Sequence, residues 1–336
     1  MQRHNFLILI IAMMWGFSAH AQDPIFSQYY AAPIQLNPAF AGNTYSPHIA
    51  INYRNQWPSL NQAYVTYAVS YSQFFKDFNS GIGLMVLTDD AGQGLYKTTK
   101  VSGVYSYKLK INESLNLKLG LEGSLVRINL NWEKLIFPDQ IGPEFGAVSG
   151  GGTPFPTQEI RPDNLSNSYF DASAGLLLYS SNFYAGVTTK HLNTPNESFL
   201  EINENLDGGL PLRLGLHAGY EFKINEGNKK RQASFISPNV MFVKQGDFGQ
   251  LNIGAYGNLG AIFGGLWYRQ GFSNPDAAIA LIGFQSGGYK IGYSYDVTVS
   301  KLNNGVSGGA HEISLGFNLN CTNRPATFRT ISCPSF

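Results

Sequence analysis

Apolar and polar residues alternate with a period of two along most of this chain, as they do in an extended strand whose two faces differ. In residues 211–223, Leu212, Leu214, Leu216, Ala218, Tyr220 and Phe222 share one face, and Arg213, His217, Glu221 and Lys223 share the other. In residues 114–125, Leu115, Leu117, Leu119, Leu121 and Leu125 oppose Asn116, Lys118, Glu122 and Ser124. Near the C-terminus, Ile313, Leu315, Phe317 and Leu319 oppose Glu312, Ser314, Gly316 and Asn318. The pair His311-Glu312 could open a zinc-protease helix, but the second His needed four positions on is Leu315. The pattern predicts about fourteen strands, centred near residues 51, 68, 84, 104, 122, 174, 187, 217, 238, 253, 265, 281, 292 and 315.

Most of these segments run about nine or more residues, the length a tilted strand needs to cross a bilayer. The predicted connections alternate in length. Those after even-numbered strands are mostly short (75–79, 180–182, 285–288), and those after odd-numbered strands are often long (89–95, 134–167, 192–209, 300–308). Such an asymmetry with an even strand count is the plan of an all-β outer-membrane barrel of antiparallel strands, with short periplasmic turns and longer outer loops. A soluble sandwich would share the alternation but not the loop asymmetry. Closure satisfies every backbone N–H and C=O where no water can reach. The apolar face then meets outer-membrane lipid and polar side chains fill the lumen, with Tyr64, Tyr105, Tyr107, Tyr179, Tyr184, Tyr220, Tyr268 and Tyr293 as interfacial girdles.

Composition agrees. Charged residues are 13%, and the chain holds 19 Tyr, 23 Phe and 37 Gly, which suits strands and turns better than helices. The first 21 residues read as a secretory signal peptide: Arg3, an apolar run from Phe6 to Phe17, and the small-x-small site Ala19-His20-Ala21. Basic and acidic residues number 23 and 22, so charge gives no hint of nucleic acid. The organisation expected is a signal peptide (1–21), a periplasmic N-terminal segment (22–47), the barrel (48–319) and a periplasmic tail (320–336). The tail carries the two cysteines, Cys321 and Cys333, and in an exported protein such a pair reads as a disulfide.

Candidate chemistry is sparse. His191, His217 and His311 lie on distant strands without shared spacing, and no GxSxG elbow accompanies them. No catalytic, cofactor or metal residues are expected. Arg213, His217, Glu221, Lys290 and Glu312 are expected as lumenal polar groups, either a solute-selecting constriction or ion pairs and hydrogen bonds that fill a narrow barrel. Glu312 has Lys290 or Arg54 as candidate partners. The N-terminal segment, with four aromatics and three prolines in residues 22–42, is too interrupted for a strand or stable helix. Placed on the periplasmic side, it suggests a docking surface or a plug against the barrel mouth. Phe26, Tyr29, Tyr30 and Phe40 are its expected partner contacts, and the outward set, with Phe137 and Asp139, falls in loop 134–167.

Four stretches, DPIFSQYYAAPIQLNPAFAG (23–42), YRNQWP (53–58), NWEKLIFPDQ (131–140) and SGGAHEISLGFNL (307–319), resemble in order and spacing the PorP/SprF family of Bacteroidota outer-membrane proteins. The resemblance implies a non-enzymatic barrel without cofactors that serves the type IX secretion system. It also implies a role in secretion or surface attachment of cargo, including gliding adhesins. Expected partners are secretion components, periplasmic ring or peptidoglycan-binding proteins, and the cargo itself. A porin-like or small-solute transport barrel is the alternative.

Overall fold

The computed structural model describes residues 23–44, 46–60, 64–141, 155–199, 209–225, 234–272, 274–300 and 304–319. The predicted signal peptide and the Cys321–Cys333 pairing lie outside the described residues. The strands, in chain order, are β1 (His48–Gln56), β2 (Tyr64–Phe75), β3 (Ser80–Ala91), β4 (Tyr96–Lys110), β5 (Asn116–Leu130), β6 (Ser166–Tyr179), β7 (Phe183–Lys190) and β8 (Arg213–Tyr220). They continue as β9 (Phe222–Asn225), β10 (Ser234–Gln245), β11 (Phe248–Leu259), β12 (Ile262–Gly271), β13 (Pro275–Ser286), β14 (Tyr289–Thr298) and β15 (Ala310–Asn318). Each pairs antiparallel with its neighbours. Glu221 separates β8 from β9, and both pair with β10, so together they form one stave. β15 pairs with β1 (Ile51 opposite Leu315, Arg54 opposite Glu312) and closes a cylinder of fourteen staves.

The alternation sorts side chains as the sequence predicts. Val69, Leu84, Val86, Leu121, Leu125, Leu266 and Ile282 are exposed on the outer wall, while Ser102, Lys118, Glu122, Asp171 and Asp296 are buried inside. A closed sheet with an apolar outside is a membrane barrel. Two girdle assignments are corrected: Tyr179 and Tyr184 are buried in the lumen, whereas Tyr64, Tyr105, Tyr107, Tyr220, Tyr268 and Tyr293 face outward. The loop asymmetry is also weaker than expected. At the long-loop end, β3 joins β4 through residues 92–95 and β10 joins β11 through residues 246–247.

The core lies in the lumen, between the wall and the N-terminal segment. Tyr29 and Tyr30 pack against Met241, Tyr256, Phe263, Trp267, Ile279 and Leu281. Phe40 packs with Leu177, Tyr179 and Tyr184, and Ile34 with Met85 and Val104. The segment forms three single turns, Tyr29–Ala31, Pro33–Leu36 and Pro38–Phe40. Pro33 and Pro38 open the second and third, where a missing N–H costs nothing. Asn37 caps the third by accepting the Ala39 N–H at 2.8 Å.

Candidate functional site

The N-terminal segment is an internal plug, and its contacts give its direction. Gly42 lies against Gly81 and Phe74, beside the short β2–β3 turn. The Ala41 carbonyl accepts from Ser106 Oγ at 2.7 Å and Lys118 Nζ at 2.6 Å. Asn37 Nδ2 donates to the carbonyls of Leu176 (3.0 Å) and Val187 (3.2 Å), in the half of β6 nearer the short turns. Asp23 meets Arg213 Nη1 at 2.8 Å and His191 Nε2 at 3.0 Å, at the long-loop end. The chain therefore threads the lumen from the long-loop end before β1 begins at the short-turn end. The expected periplasmic contact set is corrected accordingly: Phe26, Tyr29, Tyr30 and Phe40 are all buried inside the barrel. An even strand count fixes where β1 starts, but not where the residues before it go.

The wall is shaped for this passage. A Cβ on Gly120 would lie 2.2 Å from Ala39 N, one on Gly175 2.0 Å from Asn37 Oδ1, and one on Gly81 2.1 Å from the Ala41 carbonyl oxygen. Real Cβ atoms do not approach so closely, so these inward positions must be glycine for the plug to fit.

Polar contacts concentrate where the barrel closes. Glu312, fully buried on β15, accepts the backbone N–H of Ser27 through Oε2 and that of Gln28 through Oε1, each at 2.8 Å. Arg54 on β1 donates to Glu312 Oε2 at 3.1 Å and to Asp296 Oδ2 at 3.0 Å. Ser27 Oγ donates to Asp296 Oδ2 at 2.6 Å, and Arg269 Nη1 pairs with the same oxygen at 2.9 Å. Gln28 adds bonds to Ser294 (3.0 Å) and Ser314 (2.6 Å). Two plug residues thus tie together β1, β12, β14 and β15.

The other lumenal candidates serve the plug separately. Arg213 pairs with Asp23. His217 Nε2 meets Asn37 Nδ2 at 3.1 Å, with the ring 5.4 Å from that of Phe40. Glu221 is buried at the break between β8 and β9. Lys290 is not the partner of Glu312. Its Nζ donates to Tyr256 OH at 2.8 Å and sits 4.5 Å over the Phe263 ring, which leaves Arg54 as the partner. In the outward loop, Phe137 packs on Trp132 at 4.9 Å, and Asp139 accepts from the Thr157 hydroxyl and, at 2.6 Å, from the Gln158 N–H. Among the described residues, no three His, Cys, Asp or Glu side chains form a metal-binding group.

At the long-loop end, Asp23 belongs to a charged cluster that holds the plug tip. His191 Nδ1 bonds Asp171 at 3.0 Å, and Lys100 bonds Asp171 at 3.1 Å and Glu122 at 3.0 Å. Burial disfavours charge on both His191 and Asp23, but their bonds override it. Asp171 and Asp23 hold the His191 imidazole up at about 9, and His191 and Arg213 hold the Asp23 carboxyl well below the usual carboxylate range.

A family model, type IX secretion system membrane protein PorP/SprF, matches residues 18–317. This chain belongs to the PorP/SprF family. The match spans the plug and almost the whole barrel, so the lumenal segment is part of the PorP/SprF unit. Membership implies association with secretion-system components. Comparison with curated proteins finds no significant match. Among solved structures, the chain is similar in fold to the outer membrane protein Omp33 of Acinetobacter baumannii (9% identity, 83% of this chain and 100% of that one, TM-score 0.41). It is also similar to a TodX mutant described as a monoaromatic hydrocarbon channel (10% identity, 86% and 94%, TM-score 0.49). A mutant of the Rh. blastica porin matches at 6% identity (82% and 99%, TM-score 0.34).

Proposed function

We propose that this PorP/SprF chain is a plugged, non-enzymatic docking barrel of the outer membrane, exported by its signal peptide, that supports secretion or surface attachment of type IX cargo. The observation that carries this reading is the filled lumen. Residues 23–42 line the inside of the cylinder with buried aromatic and ion-paired contacts, which favours a scaffold over a porin-like or small-solute channel. With short turns in the periplasm and long loops outside, partners meet the barrel at its two rims. Ring or peptidoglycan-binding proteins would dock at the periplasmic rim, and cargo at the outer one. The base of the loop after β5 is a fitting outer surface, since Phe137 and Asp139 brace it and Ile136, Ile141 and Ile160 stand exposed. Phe26, Tyr29, Tyr30 and Phe40 contribute by keeping the plug seated.

Affinity purification of the full chain from native membranes, with partners identified by mass spectrometry, tests this reading. Secretion components and cargo are the expected partners. Their absence, together with steady conductance of the purified barrel in planar bilayers, would instead support the channel.

A further inference from the structure

The plug tip leaves a solvent-open vestibule at the long-loop end, bounded below by Asp23, Pro24 and Gln35. Met85, Leu87 and Val126 give it an apolar wall, Tyr96 and Tyr169 an aromatic one, and Lys190 a cation. Its carboxylates have partners. Asp23 is held by Arg213 and His191, Asp171 by Lys100 and His191, and Asp89 by the Thr66 hydroxyl at 2.6 Å. Glu197 is also partnered.

Lys190 differs. It is 4% exposed and lines the vestibule, yet it makes no hydrogen bond or ion pair among the described residues. It stands directly opposite Arg213 in the β7–β8 pairing, and two cations facing each other across a ladder repel. Arg213 is compensated by the Asp23 carboxylate at 2.8 Å. Lys190 feels the attraction of Glu122 and Asp23 at a distance but has no acceptor in hydrogen-bond contact among the described residues, and a buried ammonium left without one is costly.

We propose that the vestibule is a carboxylate-binding site in which Lys190 holds the ligand's carboxylate, as Arg213 holds Asp23, while the apolar and aromatic walls take the carbon chain. The ligand class is a monocarboxylate with an apolar body, either a free small acid or the C-terminal end of a polypeptide. The site goes beyond the docking function and stands independently of which secretion partners bind.

The test uses the full barrel in detergent, with isothermal titration of two matched pairs: hexanoate against hexanamide, and acetyl-Phe-Leu with a free carboxylate against its amide. At least one acid is expected to bind about tenfold tighter than its amide, the size of one charge-assisted hydrogen bond. The difference should vanish in Lys190→Gln and survive in Lys190→Arg. Comparable binding of hexanoate and the peptide acid would point to free small acids, and binding of the peptide alone to a chain end. Equal binding of acid and amide, no binding by either acid, or undiminished acid binding by folded Lys190→Gln would overturn the proposal. If Lys190→Gln does not fold, the wild-type acid–amide comparison still decides.

Discussion

Glu312 on the closing strand grips Gln28 in the plug: its Oε1 accepts the Gln28 backbone N–H at 2.8 Å, while its Oε2 does the same for Ser27. The carboxylate also pairs with Arg54 across the β1–β15 seam, so plug seating and barrel closure share one residue. Replacing Glu312 with Gln sets an amide N–H against one of those backbone donors and takes one carboxylate from buried Arg54. Removing one partner of a buried pair costs about 3–5 kcal/mol. Because Arg54 keeps Asp296, the loss is expected at the lower end of that range. Ser314→Ala, which removes one neutral bond to Gln28, should cost about 1 kcal/mol. Denaturant titration of the two variants, followed by the shift between folded and unfolded bands on a gel, checks both the order and the size.

The inward glycines give a second prediction. Gly120→Ala would place a methyl 2.2 Å from Ala39 N, so either the plug or the wall must move. Overpacking of this kind costs about 1–3 kcal/mol. The clash is confined to Ala39 and Pro38 while the rest of the plug keeps its core contacts, so a folded barrel with a locally shifted plug and raised bilayer conductance is expected. Gly103→Ala is the control, since its Cβ would meet nothing within 4 Å and conductance should stay at the wild-type level.

A third prediction concerns pH. His191 is raised from 6.5 to about 9 in the fold, so its bonds to Asp171 and Asp23 contribute fully below pH 6.5 and are lost as pH rises through about 9. Asp23 is lowered, so its contribution is present above its ordinary value of 3.8 and disappears only as pH falls through the lower folded value. The stability gap between wild type and His191→Gln should therefore be widest between about pH 4 and 6.5 and close above about pH 9. For Asp23→Asn the gap should close on the acid side. Thermal midpoints across this range, measured for all three proteins, show whether the gaps follow this course.

Deleting residues 23–42 removes the inner half of the core, including Tyr30, which stacks on Trp267 at 5.8 Å. The lumenal faces of Met241, Phe263, Ile279 and Leu281 would then meet water. The expected outcome is a marked loss of assembled barrel in the membrane fraction, with conductance in whatever assembles. Quantifying the heat-modifiable band after expression measures the first effect.

The barrel was legible because a wall between lipid and lumen imposes strict alternation, and each of the fourteen predicted centres falls within a stave. The lumenal parity of Arg213, His217, Glu221, Lys290 and Glu312 followed from the same rule. The route of the N-terminal segment was not legible, because its aromatics and prolines suit an exposed docking segment equally well. Its signal lay in the wall. Ala277, Ile279, Leu281, Met85 and Leu87 are apolar at inward positions where a wet lumen would ask for polar groups, and Gly81, Gly120 and Gly175 are inward residues without side chains. Apolar patches and glycines facing inward mark a wall that packs against protein. The choice of Arg54 over Lys290 for Glu312 depended on register between the first and last strands, which alternation alone does not set.

The most direct test of the threaded plug is a pair of cysteine cross-links in a background where Cys321 and Cys333 are serine. A Cβ at Gly83 lies 3.4 Å from the Ala41 Cβ, close to disulfide spacing, so Ala41→Cys with Gly83→Cys reports the short-turn end. Asp23→Cys with Gln245→Cys, bridged by a short bis-maleimide, reports the long-loop end, where the Asp23 N–H reaches Gln245. A segment running the length of the lumen predicts that both links form in intact membranes, on barrels that remain heat-modifiable. Efficient folding with neither link, or with the first alone while the thiol of Asp23→Cys reacts only from the short-turn side, would contradict it.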